Sequence, residues 1–172
     1  MSANQLQRPE FIDEVRTVLR ESGIVPSSLT LELTESVMMQ DLEVSLLRLN
    51  ALRALGVKLA IDDFGTGYSS LNYIRQFPMD ILKIDRSFLM DPNPEMADLT
   101  EAIVSLARIF KLKAVAEGVE TGGQLARLRG INCDFGQGFH FAKPLLGEQI
   151  LAMASAEAKP RAEVIQLGAR VA

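Results

Sequence analysis

Residues 57–88, VKLAIDDFGTGYSSLNYIRQFPMDILKIDRSF, constrain the fold more than any other stretch. An apolar run with strand alternation ends in two adjacent acids, Asp62 and Asp63. A glycine-rich turn with Gly65 and Gly67 follows, then a short helix-like segment. The second strand carries Lys83 where a buried strand is normally apolar. Neighbouring carboxylates want a cation, and a lysine set in a strand wants an anion. One βαβ unit supplying both points to a metal-assisted site for a phosphorylated ligand. The competing reading is a solvated turn beside a snorkelling lysine.

The flanking sequence repeats the pattern. Pro9 to Ser22 reads as a helix with Phe11, Val15, Val18 and Leu19 at helical spacing and Gly23 as its stop. LTLELTE alternates strictly, with Leu29, Leu31 and Leu33 on one face. Asp41 can cap a helix to Leu55 that carries Leu42, Leu46, Leu49 and Leu52, with Gly56 ending it. A helix from Glu95 to Lys111 is expected to bury Met96, Leu99, Ile103, Leu106 and Phe110. LKAVAEGVE gives a fourth strand with Val115 and Glu117 on one face. Thr121 can cap a short helix ending at Gly130, CDFGQGFHFAKP reads as an irregular last strand holding Gln137, and a helix is expected over 147–157. The remainder, 158–172, reads as a frayed tail.

Strand after helix implies a parallel sheet with covering helices, either an open doubly wound sheet or a barrel. The polar residues favour the barrel. Strand ends are expected at Glu32, Asp62, Lys83, Glu117 and near Gln137, which would form a ring of polar groups at the strand C-termini, as in (β/α)₈ active sites. An open sheet would concentrate function at one switch point.

Composition narrows the function. A net charge of −4 with no basic cluster argues against a nucleic-acid duplex as partner. Cys133 and His140 are single, so neither an internal disulfide nor a histidine-rich metal site or Ser-His-Asp triad is supported. No apolar run approaches the roughly 18 residues of a membrane span. The N-terminus lacks the apolar core of a signal peptide, so a cytoplasmic location is expected.

In a barrel Glu32, Asp62, Asp63 and Glu117 converge at one mouth with Lys83 among them. Buried together, the four carboxylates would raise one another's pKa values unless cations were present. An oxygen-only ligand set suits Mg²⁺ or Mn²⁺, and two such ions can clamp a phosphodiester and generate a hydroxide nucleophile. Lys83 could neutralise a phosphate oxygen or hold the attacking water. Taken singly, each acid reads more readily as a rim carboxylate paired with arginine. Glu35 and Glu120 fit loop-anchoring or helix-start roles as well as catalysis. The turn at Gly65 and Gly67 only weakly resembles a dinucleotide-binding turn, because Ser70 stands at the third glycine and two acids precede it.

LELTES, LAIDDFGTGYSSL, ILKIDRSF, AVAEGVET and CDFGQGFHFAKPL, in this order and spacing, resemble the EAL domain of bacterial cyclic di-GMP phosphodiesterases, from about Ser2 to Leu151. The resemblance implies a modified TIM barrel that hydrolyses cyclic di-GMP to the linear dinucleotide pGpG with Mg²⁺ or Mn²⁺. It implies Glu32, Asp62 and Asp63 as metal ligands in a two-metal site and Lys83 as the residue binding the nucleophilic water. Glu117 becomes the general base or a metal-site carboxylate, Gln137 helps hold the site, and Glu35 anchors the loop after DDFG.

The departure is at the front: the family's strands bearing its E-A-L and N-x-S motifs, with a glutamate and an asparagine ligand, have no counterpart in this sequence. Five strand segments against the eight of a closed barrel imply a partial barrel with two parallel edges and an uncovered core face. The expected organisation is a truncated EAL domain over 1–157 and a tail over 158–172. An engineered truncation or mis-assigned start, a fragment completed by a homodimer or another partner, and a catalytically dead module binding nucleotide or protein are the competing accounts. The first is favoured, and weak or absent turnover is expected of the chain alone.

Overall fold

The computed structural model describes residues 1–65, 74–91 and 93–150. Five parallel strands stand in sequence order: β1 Thr30–Thr34, β2 Lys58–Phe64, β3 Ile81–Ile84, β4 Lys113–Ala116 and β5 Phe135–Gly136. The helices are α1 Ala3–Gln7, α2 Phe11–Ser22, α3 Glu35–Met39, α4 Leu42–Ala54, α5 Ser87–Met90, α6 Pro94–Ile109 and α7 Gly122–Gly130. Purely parallel pairing with helical crossovers is the layout of a (β/α)₈-type barrel, of which these strands are one arc. Among the described residues no strand pairs with the outer edge of β1 or of β5.

Local chemistry explains most boundaries. Asp41 accepts from the Val44 N–H at the start of α4. Thr121 and Gln124 form a reciprocal capping box on α7, and Gly23 ends α2 in the left-handed conformation with φ 67°. Pro9 lies before α2, which starts at Phe11. The core gathers Leu33, Leu49, Leu52, Leu59, Ile61, Leu82 and Ile84 between sheet and helices.

Two sequence expectations need correction. Leu99 is 43% exposed, and α6 buries Thr100, Ile103, Val104 and Ala107 instead. The inward face is rotated from the expected one towards Thr100, Val104 and Ala107. β1 runs on to Thr34 and β2 to Phe64, so Glu32 and Asp62 lie within their strands rather than at their ends. The helix-like segment after the glycine turn, with Gly67 and Ser70, lies outside the described residues, as do the tail and all but a helical turn at 147–150 of the expected last helix.

At the N-terminal end of the sheet two aspartates perform the same task. Asp80 accepts from the Leu59 N–H and Asp134 from the Ala114 N–H, each at 3.0 Å. Each stands just ahead of one strand and ties the preceding strand to it. Arg53 faces Asp80 at 3.5 Å and Lys113 faces Asp134 at 2.7 Å. Both aspartates at this end are therefore satisfied within the protein.

Candidate active site

Lys83 lies in β3, the middle strand, with only 9% of its side chain exposed. Its ammonium donates to Glu32 Oε2 at 2.8 Å from β1, Asp62 Oδ1 at 2.8 Å from β2 and Glu117 Oε1 at 2.6 Å just after β4. Burial alone would push this lysine down, but hydrogen bonds to Asp62, Glu117 and Glu32 hold it well above its ordinary value. It is a fixed cation at neutral pH and cannot serve as a base.

The two adjacent aspartates share the site because β2 breaks its alternation. Ile61 pairs with Leu82 and Phe64 with Ile84, so three steps along β2 match two along β3. This is a bulge, with Asp63 in the left-handed region at φ 51°. In a regular strand the two carboxylates would point to opposite faces. Here one carboxylate oxygen from each of Asp62, Asp63 and Glu117 lies within 4.8 Å of the others. Burial and then the neighbouring Asp62 and Asp85 charges push Asp63 up from its ordinary value, against the pull of Lys83.

The expectation of four buried carboxylates is corrected. Asp63 is exposed and the Glu32 side chain is 42% exposed, whereas Asp62 and Glu117 are partly buried. Solvent reaches the site from the strand C-termini, and Lys83 is the buried charge. Glu35, at the start of α3, accepts from the Gly65 N–H at 3.2 Å and so grips the chain immediately after the bulge. Gly65 has φ 95°, and a Cβ there would stand 2.5 Å from the Phe88 ring. Gln137 follows β5, where its N–H donates to the Ala116 carbonyl at 2.8 Å and its carbonyl accepts from the Val119 N–H at 3.0 Å. Glu120 is exposed beside the capping box, outside the Lys83 cluster.

The donor set fits a divalent cation. All candidate atoms are carboxylate oxygens, the hard ligands Mg²⁺ and Mn²⁺ prefer. Oxygens on opposite sides of Mg²⁺ stand about 4 Å apart, so a trio within 4.8 Å needs only a small side-chain adjustment. The sequence reading passed over Asp85 as a site residue, although it shares a face with Lys83. Its charge is one cause of the Asp63 shift.

A parallel α/β arc with carboxylates and a lysine at its strand C-termini is the arrangement on which (β/α)₈ barrels build their sites. The EAL domain family model matches residues 1–144, and the chain belongs to that family. Cyclic di-GMP phosphodiesterase NbdA of Pseudomonas aeruginosa is 48% identical over 83% of this chain and 18% of its own length. From the same organism, the bifunctional diguanylate cyclase/cyclic di-GMP phosphodiesterase MucR is 45% identical over 88% of this chain and 22% of its own length. The chain thus spans about a fifth of these curated relatives.

Among solved structures, the MucR phosphodiesterase in complex with cyclic di-GMP superposes with a TM-score of 0.83 at 44% identity, covering 87% of this chain and 62% of that one. The EAL domain of Mycobacterium smegmatis DcpA gives 0.85 at 40% identity, covering 91% and 71%. Among the described residues no helix is long and apolar enough to cross a membrane.

Proposed function

We propose that this chain carries the carboxylate–lysine centre of a cyclic di-GMP phosphodiesterase that yields pGpG. The observation that carries the reading is the Lys83 ammonium bonded at once to Glu32, Asp62 and Glu117, with Asp63 beside them. Glu32, Asp62 and Asp63 are the residues to hold Mg²⁺ or Mn²⁺, two ions in a completed barrel, and Glu117, whose oxygen clusters with those of Asp62 and Asp63, serves either as a further metal-site carboxylate or as the general base. Bound there, such cations would supply Lewis acidity at a phosphodiester oxygen. Lys83, kept protonated, holds a water or a phosphate oxygen by donation. Glu117 then takes a proton from the water as the new oxygen–phosphorus bond forms and the bond from phosphorus to the 3′ oxygen breaks, and that oxygen leaves as a hydroxyl with a proton returned by Glu117 or drawn from solvent. Glu35 and Gln137 keep the surrounding backbone in place, and Glu120 borders the site.

The test is hydrolysis of cyclic di-GMP by the purified chain with Mn²⁺, followed as appearance of pGpG. Turnover lost in Asp62→Ala supports the reading. Binding of cyclic di-GMP by folded protein without any turnover would replace it with a non-catalytic nucleotide-binding module.

A further inference from the structure

The ladder between β3 and β4 ends at Ile84 and Ala116, with the Glu117 N–H donating to the Ile84 carbonyl at 3.0 Å as its last rung. Beyond it the two chains part. One leads from Ile84 into α5, the other from Glu117 through a turn into α7. Lys83 lies on the first chain and Glu117 opens the second, and their side chains meet at 2.6 Å. A tie between the two continuations therefore bears on how Glu117 faces Lys83 and the oxygens of Asp62 and Asp63.

Gln124, in the first turn of α7, is such a tie. Its Oε1 accepts from the Glu120 N–H at 2.8 Å and the Thr121 N–H at 2.9 Å. Its Nε2 donates to the Leu89 carbonyl of α5 at 2.9 Å. The reversed amide would set NH₂ against two N–H donors and oxygen against a carbonyl, so the partners fix its orientation. A capping box needs only the oxygen. The bond to Leu89 lies outside that motif and joins residues 35 apart in sequence.

Both ends of the tie are firm. On α5, Phe88 and Leu89 are buried. On the other side, the Val119 N–H donates to the Gln137 carbonyl at 3.0 Å. Gly118, at φ 69°, presses so closely on Arg86 that a Cβ there would stand 2.5 Å from Arg86 Cβ. From these contacts we infer that Gln124 is a positioning residue for Glu117. By tying the turn 117–121 to α5, it holds the Glu117 carboxylate at Lys83 and at the candidate metal-site oxygens. The inference rests on the role proposed for Glu117, and its test keeps the two apart.

Gln124→Glu separates the two duties of the side chain. A carboxylate still accepts from Glu120 and Thr121, as the glutamate form of the same capping box, and it suits a helix N-terminus. It cannot donate to Leu89. Amide hydrogen exchange is measured first, by NMR on the whole chain without metal or substrate. In Gln124→Glu the Glu120 and Thr121 amides are expected to keep their wild-type protection. Those of Glu117 and Val119 are expected to exchange about three- to tenfold faster, the effect of one lost hydrogen bond on local opening. Gln124→Met, which loses both duties, is expected to speed exchange at all four. Unchanged exchange at Glu117 and Val119 in Gln124→Glu overturns the inference, because a residue that only caps α7 would leave them untouched.

In protein that hydrolyses cyclic di-GMP, Gln124→Glu is expected to lower kcat by about 10–100-fold with KM changed only a few-fold. Added to Glu117→Gln it should cost little more, since both changes act through one carboxylate. Wild-type kcat in Gln124→Glu, or a full additional loss in the double variant, also overturns the inference. Absence of hydrolysis by the wild type counts against the proposed function alone, and the exchange rates then decide for or against Gln124.

Discussion

The Lys83 ammonium reaches Glu117 Oε1 at 2.6 Å, closer than either of its other carboxylates. The lysine thereby neutralises charge that would otherwise collect at the strand ends. Lys83→Met keeps an unbranched chain in the same space but leaves Glu32, Asp62 and Glu117 facing one another. Without divalent cations the variant is expected to lose about 2–3 kcal/mol of stability, at or just below the lower limit for breaking a buried pair, because Glu32 is solvated. Mg²⁺ should recover more of that loss than it adds to the wild type. Urea unfolding with and without Mg²⁺ measures both numbers, and an identical Mg²⁺ increment in the two proteins would count against a shared cation site.

Glu117→Gln separates proton transfer from binding. The amide oxygen can still accept from Lys83 at nearly the same place, but the side chain can no longer take a proton. In protein that turns over cyclic di-GMP, kcat is expected to fall by about 10²–10⁴-fold, the range for a lost general base. Affinity for cyclic di-GMP is expected to change only a few-fold. Near-normal turnover would remove Glu117 from proton transfer.

Glu35 acts at one remove from the aspartates. Its carboxylate holds the Gly65 N–H, two residues after the bulge at Asp63. Glu35→Ala is expected to weaken Mn²⁺ binding by about 10–100-fold, the usual cost of losing a residue that orients ligands. Glu35→Gln retains an oxygen acceptor and should restore much of it. Calorimetric titration with Mn²⁺ distinguishes the two, and equal loss in both variants would mean that the charge of Glu35 matters rather than its grip on Gly65.

How far the sequence reveals this site depends on which physical rule governs each residue. The parallel order of β1 to β5 follows from strand–helix alternation, and the Asp41 and Thr121 caps follow from side-chain chemistry a few residues long. Lys83 is legible because a lysine within ILKID contradicts its apolar neighbours. The meeting of Asp62 with Asp63 is not, because period-two alternation sends them to opposite faces until a bulge with positive φ intervenes. Leu99 misleads for a related reason: helical periodicity allows several inward faces, and packing selected the one with Thr100 and Ala107.

Cys133 reports on the core below the site. It is fully buried, its thiol lies 3.4 Å from the Phe135 carbonyl, and burial pushes its pKa up from 9.0 to about 11. The folded state therefore favours the protonated thiol. That contribution to stability is complete below about pH 9 and is lost as pH rises from there through about 11. At pH 8 iodoacetamide should modify the native protein far more slowly than the urea-unfolded chain, with the rate tracking opening rather than thiolate fraction. Equal rates in native and unfolded protein would contradict the buried placement.

Two glycine substitutions of the same kind should act in opposite directions. At Gly138 a Cβ would stand 2.2 Å from the Val119 carbonyl oxygen and 2.3 Å from its nitrogen. Those are backbone atoms tied to Gln137 and His140 by hydrogen bonds, so they cannot yield as a side-chain tip would. Gly138→Ala is expected to cost about 1–3 kcal/mol, as overpacking does, and to shift Gln137 and with it the wall next to Glu117. At Gly130, in the last turn of α7, a Cβ meets nothing within 4 Å. Gly130→Ala should therefore stabilise by up to about 1 kcal/mol, since alanine has less backbone freedom to lose on folding. Thermal unfolding of the two variants against wild type gives the signs directly. A Gly138→Ala variant as stable as wild type would show that the segment after β5 packs on Val119 more loosely than this close contact implies.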